Sequence, residues 1–305
     1  MPEMAEPYAS EFRRLVRMGA GARDIHAAGA DVGFARRTAS SDAFVAREMS
    51  RIETHRRATC PILEAFAPRS ARVLDVGCST GGSTVAIALS PVIAPEAVVG
   101  FDLDALSLRA AEVRAKGNGL DPRRITFVSG RPGAGLPFAS DVFDLVVCVS
   151  VLEFLPTAEG RRRLIEEMKR VARPGGHVFV STPSPLRLRD VHAKRWLGDV
   201  VRRDGFPWAT PPWELRAMIA DCERVPIHDW VVAHALNRAG LPGRVVPKTL
   251  TRAIAWVHAW QKVLVRKPEH RSGPRSSAVC STIVCKPSPI GATTQPDGSH
   301  ICDPR

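Results

Sequence analysis

The residues with the clearest chemical potential stand in one glycine-rich segment, VLDVGCSTGGST at 73–84. Apolar residues lead to Asp75 and Gly77, small residues follow, and a helix-compatible stretch begins after Gly82. In an α/β protein such a segment forms a turn at the carboxyl end of a strand, where backbone N–H groups can hold a polar or anionic ligand. Because Gly77 and Gly81 have no Cβ, the backbone there can approach a ligand closely. The segment therefore predicts a ligand-binding turn.

The next apolar run contains an acidic residue near its end, about 20 residues after the glycine-rich segment. This run is VVGFDL at 98–103, and it brings Asp102 to the expected end of a second strand. At that position a carboxylate can accept hydrogen bonds from two ribose hydroxyls. The glycine-rich turn and Asp102 together indicate nucleoside binding. An ordinary glycine turn with no ligand is the alternative for 73–84.

Two later motifs appear in the order found in a known family. LPFASDVFDLVVCVSVLEFL occupies 136–155, and MKRVARPGGHVFVSTPSP occupies 168–185. With VLDVGCSTG at 73–81, the series resembles the class I S-adenosylmethionine-dependent methyltransferases, in particular the methyltransferase type 11 and quinone O-methyltransferase-like group. The resemblance covers 73–185 well and the rest of the chain weakly. It implies an α/β fold with a Rossmann-like, seven-stranded, mostly parallel sheet and helices on both faces.

The resemblance also implies S-adenosyl-L-methionine as the cofactor. The loop after the first strand would surround the methionine part, Asp102 would bind the ribose, and Leu103 would lie beside the adenine. Ser150 would lie near the sulfonium. The implied cofactor-binding residues are Asp75, Gly77, Cys78, Ser79, Gly81, Asp102, Leu103, Arg131 and Ser150.

Three positions depart from the family pattern. Ser79 stands where the family has its central glycine, Arg131 replaces an acidic residue that often meets the adenine amino group, and Phe154 replaces a histidine. Related quinone O-methyltransferases use acidic and histidine residues near this last position to bind a divalent ion. Only Glu153 remains here, and a single carboxylate rarely holds a hard cation. We therefore expect no metal. The alternative for Glu153 is an acid in the first turn of a helix, with no part in binding.

A catalytic side chain is not essential for methyl transfer from a sulfonium. Positioning of the two reactants alone can contribute about 7 to 11 kcal/mol. If the acceptor is a hydroxyl, a general base would assist, and His192 is our candidate because it follows the fifth predicted strand at the ligand-bearing edge. A surface histidine with no role is the alternative. The preference for oxygen over nitrogen or carbon comes from related families and not from these residues.

The elements that must position these residues alternate between short apolar runs and helical stretches. Such alternation is typical of a parallel sheet covered on both faces. The predicted strands are 73–76, 98–103, 125–129, 143–150, 177–182, 226–232 and 277–285. The predicted helices are 41–66 with a break near Pro61, 82–90, 105–117, 159–172, 212–222 and 249–266.

These elements divide the chain into a core with attachments. The divisions are an N-terminal helical arm at 1–72, the S-adenosylmethionine-binding core at 73–232, a basic helical insertion at 233–276, the last strand at 277–286 and a disordered tail at 287–305. The amphipathic, basic helix at 249–266 carries Trp256 and Trp260. We interpret it as a lid over an apolar acceptor or as a peripheral contact with an anionic membrane. Plain packing on the sheet is the alternative.

Composition narrows the class of protein. With 305 residues, 45% of them hydrophobic, the chain is neither fibrous nor wholly disordered. The net charge is +12, and residues 186–305 carry most of it, with 19 basic and 10 acidic side chains.

The spacing of the seven cysteines does not match a zinc site, and we expect them to be reduced thiols. No signal peptide or membrane span is visible, so we expect a cytoplasmic protein, at most peripheral to a membrane.

Other functions explain fewer of these features. The GxSxG string at 77–81 is typical of α/β-hydrolases with Ser79 as nucleophile, but only one core strand precedes it. A nicotinamide dehydrogenase would leave the later motifs unexplained. RNA methylation and non-catalytic binding of the cofactor remain alternatives, although nucleic-acid partners are not favoured. The prediction is methyl transfer to a small-molecule acceptor, by O-methylation of an apolar or anionic metabolite such as a quinone, lipid or secondary-metabolite intermediate.

Overall fold

A seven-stranded sheet lies at the centre of the computed structural model, which describes residues 4–19, 42–184, 210–238 and 260–269. The strands are β1 (Arg72–Val76), β2 (Ala97–Asp102), β3 (Ile125–Ser129), β4 (Phe143–Val149), β5 (Ala172–Pro183), β6 (Glu223–Arg224) and β7 (Trp260–Arg266). Their spatial order is β3-β2-β1-β4-β5-β7-β6. Strands β1 to β5 pair in parallel, and β7 runs antiparallel to both β5 and β6. The predicted mostly parallel, seven-stranded sheet is confirmed.

Helices connect the strands and precede the sheet. They are α1 (Tyr8–Arg17), α2 (Asp42–Met49), α3 (Arg51–Ala58), α4 (Cys60–Phe66), α5 (Gly82–Ala88), α6 (Ala105–Gly117), α7 (Ala158–Val171), α8 (Pro212–Met218) and α9 (His228–Arg238). A short 3₁₀ turn at Leu152–Phe154 follows β4. The connection from β1 to β2 contains α5, that from β2 to β3 contains α6, and that from β4 to β5 contains α7.

Alternate residues of β4 show how both faces of the sheet are covered. Leu145 and Val147 belong to the apolar cluster on the face of α4 and α5, whereas Val146 and Cys148 belong to the cluster on the face of α7 and α8. All four side chains are fully buried. Because neither face of the strand meets water, its sequence is a nearly continuous apolar run.

The order of the strands indicates where on the sheet a ligand would bind. Strand β1 lies between β2 and β4, so the chain moves outwards in opposite directions from it. In open α/β sheets, ligands bind outside the carboxyl ends of the strands at such a reversal. The turns after β1, β2 and β4 meet there.

The N-terminal arm consists of short helices. The predicted helix at 41–66 is divided into α2, α3 and α4, with breaks at Ser50 and Thr59. Pro61 occupies the first turn of α4, where its missing N–H costs no helical hydrogen bond. Ahead of them, α1 packs its Phe12 and Leu15 against α6.

The predicted strand at 226–232 is wrong. The extended residues end at Arg224, and α9 begins at His228. Ile227 and Val231 lie one helical turn apart, and the N–H of Val231 donates to the carbonyl of Ile227 at 2.9 Å. The apolar residues therefore repeat with helical rather than alternating spacing.

The predicted helix at 249–266 is wrong for residues 260–266, which form β7 against β5. Leu264 and Val265 are both buried, in apolar clusters on opposite faces of the sheet. A helix would bring such neighbours to one side, whereas a strand sends them to both. The predicted helix therefore does not extend through 260–266, and β7 is the last strand of the sheet in the described part of the chain. Residues 249–259, the predicted strand at 277–286 and the tail at 287–305 lie outside the described residues.

The described cysteines are buried and unreactive in character. Cys60, Cys78, Cys148 and Cys222 form no disulfide bond. Burial raises the pKa of the Cys60 thiol to about 12 and that of Cys148 well above its ordinary value. A thiol that stays protonated is a poor nucleophile.

Across the described stretches of the chain, no helix is both long and apolar enough to cross a membrane.

The assignment of β7 to the core can be tested by shortening one of its side chains. Leu264 is fully buried, so Leu264→Ala should lower the free energy of unfolding by about 2 to 5 kcal/mol. Urea unfolding followed by circular dichroism measures this change. Trp213, which is 68% exposed, provides the control, because Trp213→Ala should change stability by less than about 0.5 kcal/mol. Equal effects of the two substitutions would contradict the position of β7.

Candidate functional site

The turn after β1 depends on left-handed backbone conformations. Gly77, Ser79 and Gly81 have φ angles of 72°, 47° and 76°. The N–H groups of Gly77 and Cys78 donate to the carbonyl of Phe101 at 2.8 and 3.0 Å, which folds the turn over the end of β2. A Cβ at Gly77 would overlap the side chain of Val151, so glycine is required there by both conformation and space.

Ser79 occupies the position of the family's central glycine without changing the left-handed conformation. Such a conformation costs a non-glycine residue about 1 to 2 kcal/mol. The N–H of Ser79 donates to Oδ2 of Asp102 at 2.7 Å, and a charge-assisted bond of this kind offsets much of that cost. The substitution therefore leaves the course of the turn intact.

Asp102 at the end of β2 is held by three backbone N–H groups. Its Oδ1 accepts from the N–H groups of Leu103 and Asp104 at 2.7 and 3.0 Å, while Oδ2 accepts from Ser79. The side chain is buried, and Leu103 beside it is 36% exposed. A negatively charged acceptor and an open apolar surface thus lie side by side, at the positions expected for ribose and adenine.

Asp75 supports the turn from within the sheet. It is fully buried, and its Oδ2 accepts hydrogen bonds from the hydroxyls of Ser83 and Thr84, both at 2.6 Å. The contacts join β1 to the first turn of α5. Burial raises the pKa of Asp75 from 3.8 to about 6, although the two hydroxyl groups partly oppose this change. In this arrangement Asp75 orders the turn that carries Gly77 and Gly81.

The end of β4 approaches the same turn. Ser150 has a φ of 59°, and its N–H donates to the carbonyl of Ser181 in β5 at 2.9 Å. The next residue, Val151, is the side chain that meets Gly77. In the following 3₁₀ turn, Glu153 is buried and accepts from the hydroxyl of Thr182 at 3.3 Å. The predicted sulfonium side of the site is therefore lined by the ends of β4 and β5.

Arg131 follows β3 on the other side of Asp102. The preceding residue, Gly130, donates its N–H to the carbonyl of Asp102 at 3.0 Å, and a Cβ there would overlap the ring of Phe101. The Arg131 side chain is exposed. The predicted place of Arg131 beside the adenine stays a prediction, and its charge is opposite to that of the acidic residue that the resemblance leads us to expect there.

Comparison with known proteins identifies this arrangement. Residues 74–180 match the family model described as "Methyltransferase domain". Over these residues the chain is similar to a methyltransferase domain. The match covers the turn after β1, Asp102 and the ends of β4 and β5, and it favours the methyltransferase interpretation over a hydrolase or a dehydrogenase.

The relatives that match this chain include proteins named as methyltransferases. A ubiquinone biosynthesis O-methyltransferase from Pectobacterium atrosepticum is 30% identical over 130 residues, 43% of this chain and 47% of that protein. A probable methyltransferase from Aspergillus luteorubrus is 30% identical over 107 residues, 34% of this chain and 37% of its own. A demethylmenaquinone methyltransferase from Mycobacterium bovis is 29% identical over 201 residues, 65% and 77% of the two chains. The matched segment thus covers less than half the length of the Pectobacterium and Aspergillus proteins.

Two predictions about the methyltransferase domain are left open. His192, the predicted general base, lies outside the described residues. The expected absence of a metal site also stays a prediction. Within 4–19, 42–184, 210–238 and 260–269, no three His, Cys, Asp or Glu side chains are grouped so that they could hold a metal ion.

The methyltransferase domain also has polar neighbours that the sequence analysis missed. The hydroxyl of Thr80 donates to Oε2 of Glu48 in α2 at 2.6 Å, and Arg51 forms an ion pair with the same carboxylate at 3.2 Å. A Cβ at Gly82 would lie 3.3 Å from Nε of Arg51. Glu48 precedes Thr80 by 32 residues and belongs to no motif, so no local signal in the sequence could have identified it.

The raised pKa of Asp75 makes the stability of the protein pH-dependent. A carboxyl group with a higher pKa in the folded than in the unfolded chain binds its proton more tightly after folding. It therefore favours the folded state as pH falls from about 6 towards 3.8, and this contribution is lost above about 6. Between about pH 7.5 and about pH 5, wild type should gain about 1 kcal/mol relative to Asp75→Asn in urea unfolding.

An exposed acid provides the control for this measurement. Glu112 lies on the surface of α6, so Glu112→Gln should follow wild type at both pH values. If wild type and Asp75→Asn respond identically to pH, the buried carboxyl does not titrate in this range.

Proposed function

We propose that the protein is an S-adenosyl-L-methionine-dependent methyltransferase that acts on a small-molecule acceptor. The observation that carries the proposal is the buried carboxylate of Asp102, held beside the left-handed turn of a methyltransferase domain. A carboxylate at the end of β2 is suited to accept hydrogen bonds from both ribose hydroxyls. Adenine would pack on the exposed side chain of Leu103, with Arg131 at its outer edge.

The methionine part would lie along the turn after β1. Because Gly77 and Gly81 have no Cβ, the backbone of the turn can approach the ligand closely. Gly81 is also required by packing, since a Cβ there would come within 2.8 Å of Ala111. The guanidinium of Arg51 is partly exposed next to Gly82 and would attract the carboxylate of the amino acid. The residues present therefore suit the polar and charged groups of this cofactor.

The acceptor would enter at the ends of β4 and β5. When bound, S-adenosyl-L-methionine supplies an electrophilic methyl group, and Ser150 together with the Val151 turn would exclude water from it. Glu153 and Thr182 provide a buried polar pair at this end. A hydroxyl acceptor must also lose a proton, for which His192 remains our proposed base.

Two relatives support an apolar aromatic acceptor. Their names refer to ubiquinone biosynthesis and to demethylmenaquinone, both of which concern quinones. We therefore propose a quinone-like or phenolic metabolite as the substrate class and oxygen as the methylated atom. Peripheral contact with an anionic membrane would bring such a molecule within reach, and the basic residues after 186 favour it.

The role of Asp102 can be tested by removing its charge while keeping its shape. Asp102→Asn retains one carbonyl acceptor, which can keep either the bond to Ser79 or the bonds to Leu103 and Asp104; only a variant shown to be folded is interpreted. Binding of S-adenosylhomocysteine should weaken at least about tenfold because a charged acceptor for two hydroxyls is lost. Isothermal titration calorimetry gives the dissociation constant, and thermal unfolding reports on the fold.

A matched control is available at the surface. Asp121 is exposed at the turn before β3, and Asp121→Asn should bind the ligand as wild type does. Unchanged affinity in folded Asp102→Asn would refute the ribose assignment.

The acceptor class can be tested with the wild-type protein. Radiolabelled S-adenosyl-L-methionine would be incubated with catechols, reduced quinones and total RNA in parallel. We expect label to pass to the phenolic compounds and not to RNA. Label in RNA alone would replace the small-molecule proposal with RNA methylation.

A further inference from the structure

Two of the N-terminal helices, α2 and α3, meet the cofactor turn through polar side chains and not through apolar contacts alone. The hydroxyl of Thr80 lies in the middle of the turn, is 1% exposed, and donates to Glu48 of α2. The Glu48 side chain is itself 3% exposed and pairs with Arg51 of α3. Polar groups this deeply buried are stable only when they are partnered. The contact therefore depends on both helices being docked.

Arg114 of α6 supplies a second cation to this cluster. Its side chain is fully buried, its Nη2 donates to the backbone carbonyl of Glu48, and its Cζ lies 4.3 Å from the ring centre of Phe12 in α1. Within the part of the chain that the structure describes, its Nε and Nη1 have no hydrogen-bond partner. A buried guanidinium of this kind requires a nearby negative charge, and Glu48 is the carboxylate that the structure brings to it.

The charge of Glu48 is maintained by its neighbours. Burial alone would raise the pKa of this carboxyl, but Arg51 and Arg114 together hold its pKa below the ordinary value. The group is therefore ionised at neutral pH and accepts a charge-assisted hydrogen bond from Thr80. Such bonds are about twice as strong as those between neutral groups.

The turn is consequently held from two sides. On one side, the N–H of Ser79 donates to Asp102 in β2. On the other side, the hydroxyl of the next residue, Thr80, donates to Glu48. Both neighbours of Thr80 are in the left-handed region, with φ angles of 47° at Ser79 and 76° at Gly81. Loss of either bond would allow the strained backbone between them to relax.

We propose that Glu48 is a positioning residue of the cofactor site, and that its bond to Thr80 couples cofactor binding to the docking of residues 42–58. This inference rests on the proposed function. Glu48 acts through Thr80 and does not touch the ligand. Because coupling between two equilibria is reciprocal, bound cofactor must stabilise the docked helices as much as the docked helices improve binding.

The first experiment removes the hydroxyl and keeps the shape of residue 80. Thr80→Val should weaken the binding of S-adenosylhomocysteine about tenfold, and Thr80→Ser should restore affinity to within about threefold of wild type. Calorimetry measures both. Thr126 is an exposed threonine in β3, so Thr126→Val controls for the loss of a hydroxyl and should leave affinity unchanged.

The second experiment measures the coupling directly by hydrogen exchange. In the wild type, S-adenosylhomocysteine should slow amide exchange at 42–58. In Thr80→Val at saturating ligand, slowed exchange should persist around Asp102 but disappear at 42–58. A purely structural role for Thr80 would lower stability and leave the ligand-induced protection of 42–58 in place.

Glu48→Gln tests the other partner against Glu53→Gln, an exposed acid of α3. Loss of its charge leaves Arg114 buried beside a neutral group; if this variant does not fold, Thr80→Val decides. Wild-type binding in both Thr80→Val and Glu48→Gln, or equal losses in Thr80→Val and Thr80→Ser, would overturn the inference while the proposed function stands. Failure of wild type to bind S-adenosylhomocysteine would instead remove the proposed function and the inference with it.

Discussion

The hydrogen bond between the N–H of Ser79 and the carboxylate of Asp102 is the contact on which the site depends. It joins the turn after β1 to the end of β2, two strands that pair in parallel with Val76 opposite Phe101. Gly100 leaves room for the Cys78 side chain of the turn, because a Cβ at residue 100 would come within 2.9 Å of the Cys78 sulfur. The pairing of two central strands and the geometry of the ligand-binding edge are thus consequences of the same few residues.

Two buried carboxylates near this contact behave differently because their neighbours differ. Asp75 is surrounded by hydroxyl groups, which cannot compensate fully for the loss of water, and its pKa is raised to about 6. Glu48 is as deeply buried, but two guanidinium groups hold its pKa below the ordinary value. Burial alone therefore does not determine charge. Glu48 and Arg51 belong to the N-terminal arm, whereas Arg114 belongs to α6 between β2 and β3, so this group of charges joins the arm to the core.

The sequence predicts the central part of the fold well because the signals there are local. The run at 125–129 coincides with β3, and the run at 143–150 exceeds β4 by one residue. The turn after β1 and Asp102 are recognisable because their spacing follows from one strand, one helix and one strand. Prediction failed at 226–232 and 260–266, where a short apolar run is compatible with helix or strand. Only pairing with β5, about 80 residues away, decides the state of β7. The contact between Glu48 and Thr80 is equally non-local, and neither residue type identifies its partner.

The arrangement of the site suits a reaction that depends on alignment more than on acid and base groups. Methyl transfer from a sulfonium requires the nucleophile, the methyl carbon and the sulfur to lie in line, and the accessible gain from such positioning is large. In this protein four residues with positive φ surround the point where β1 and β4 end: Gly77, Ser79, Gly81 and Ser150. At Ser79 and Ser150, which lack the conformational freedom of glycine, such a backbone persists only where surrounding contacts enforce it. Asp102 in β2, Glu48 in α2 and Val151 after β4 hold this backbone in place from three different elements. The fold therefore supplies a rigid binding site and not a reactive side chain.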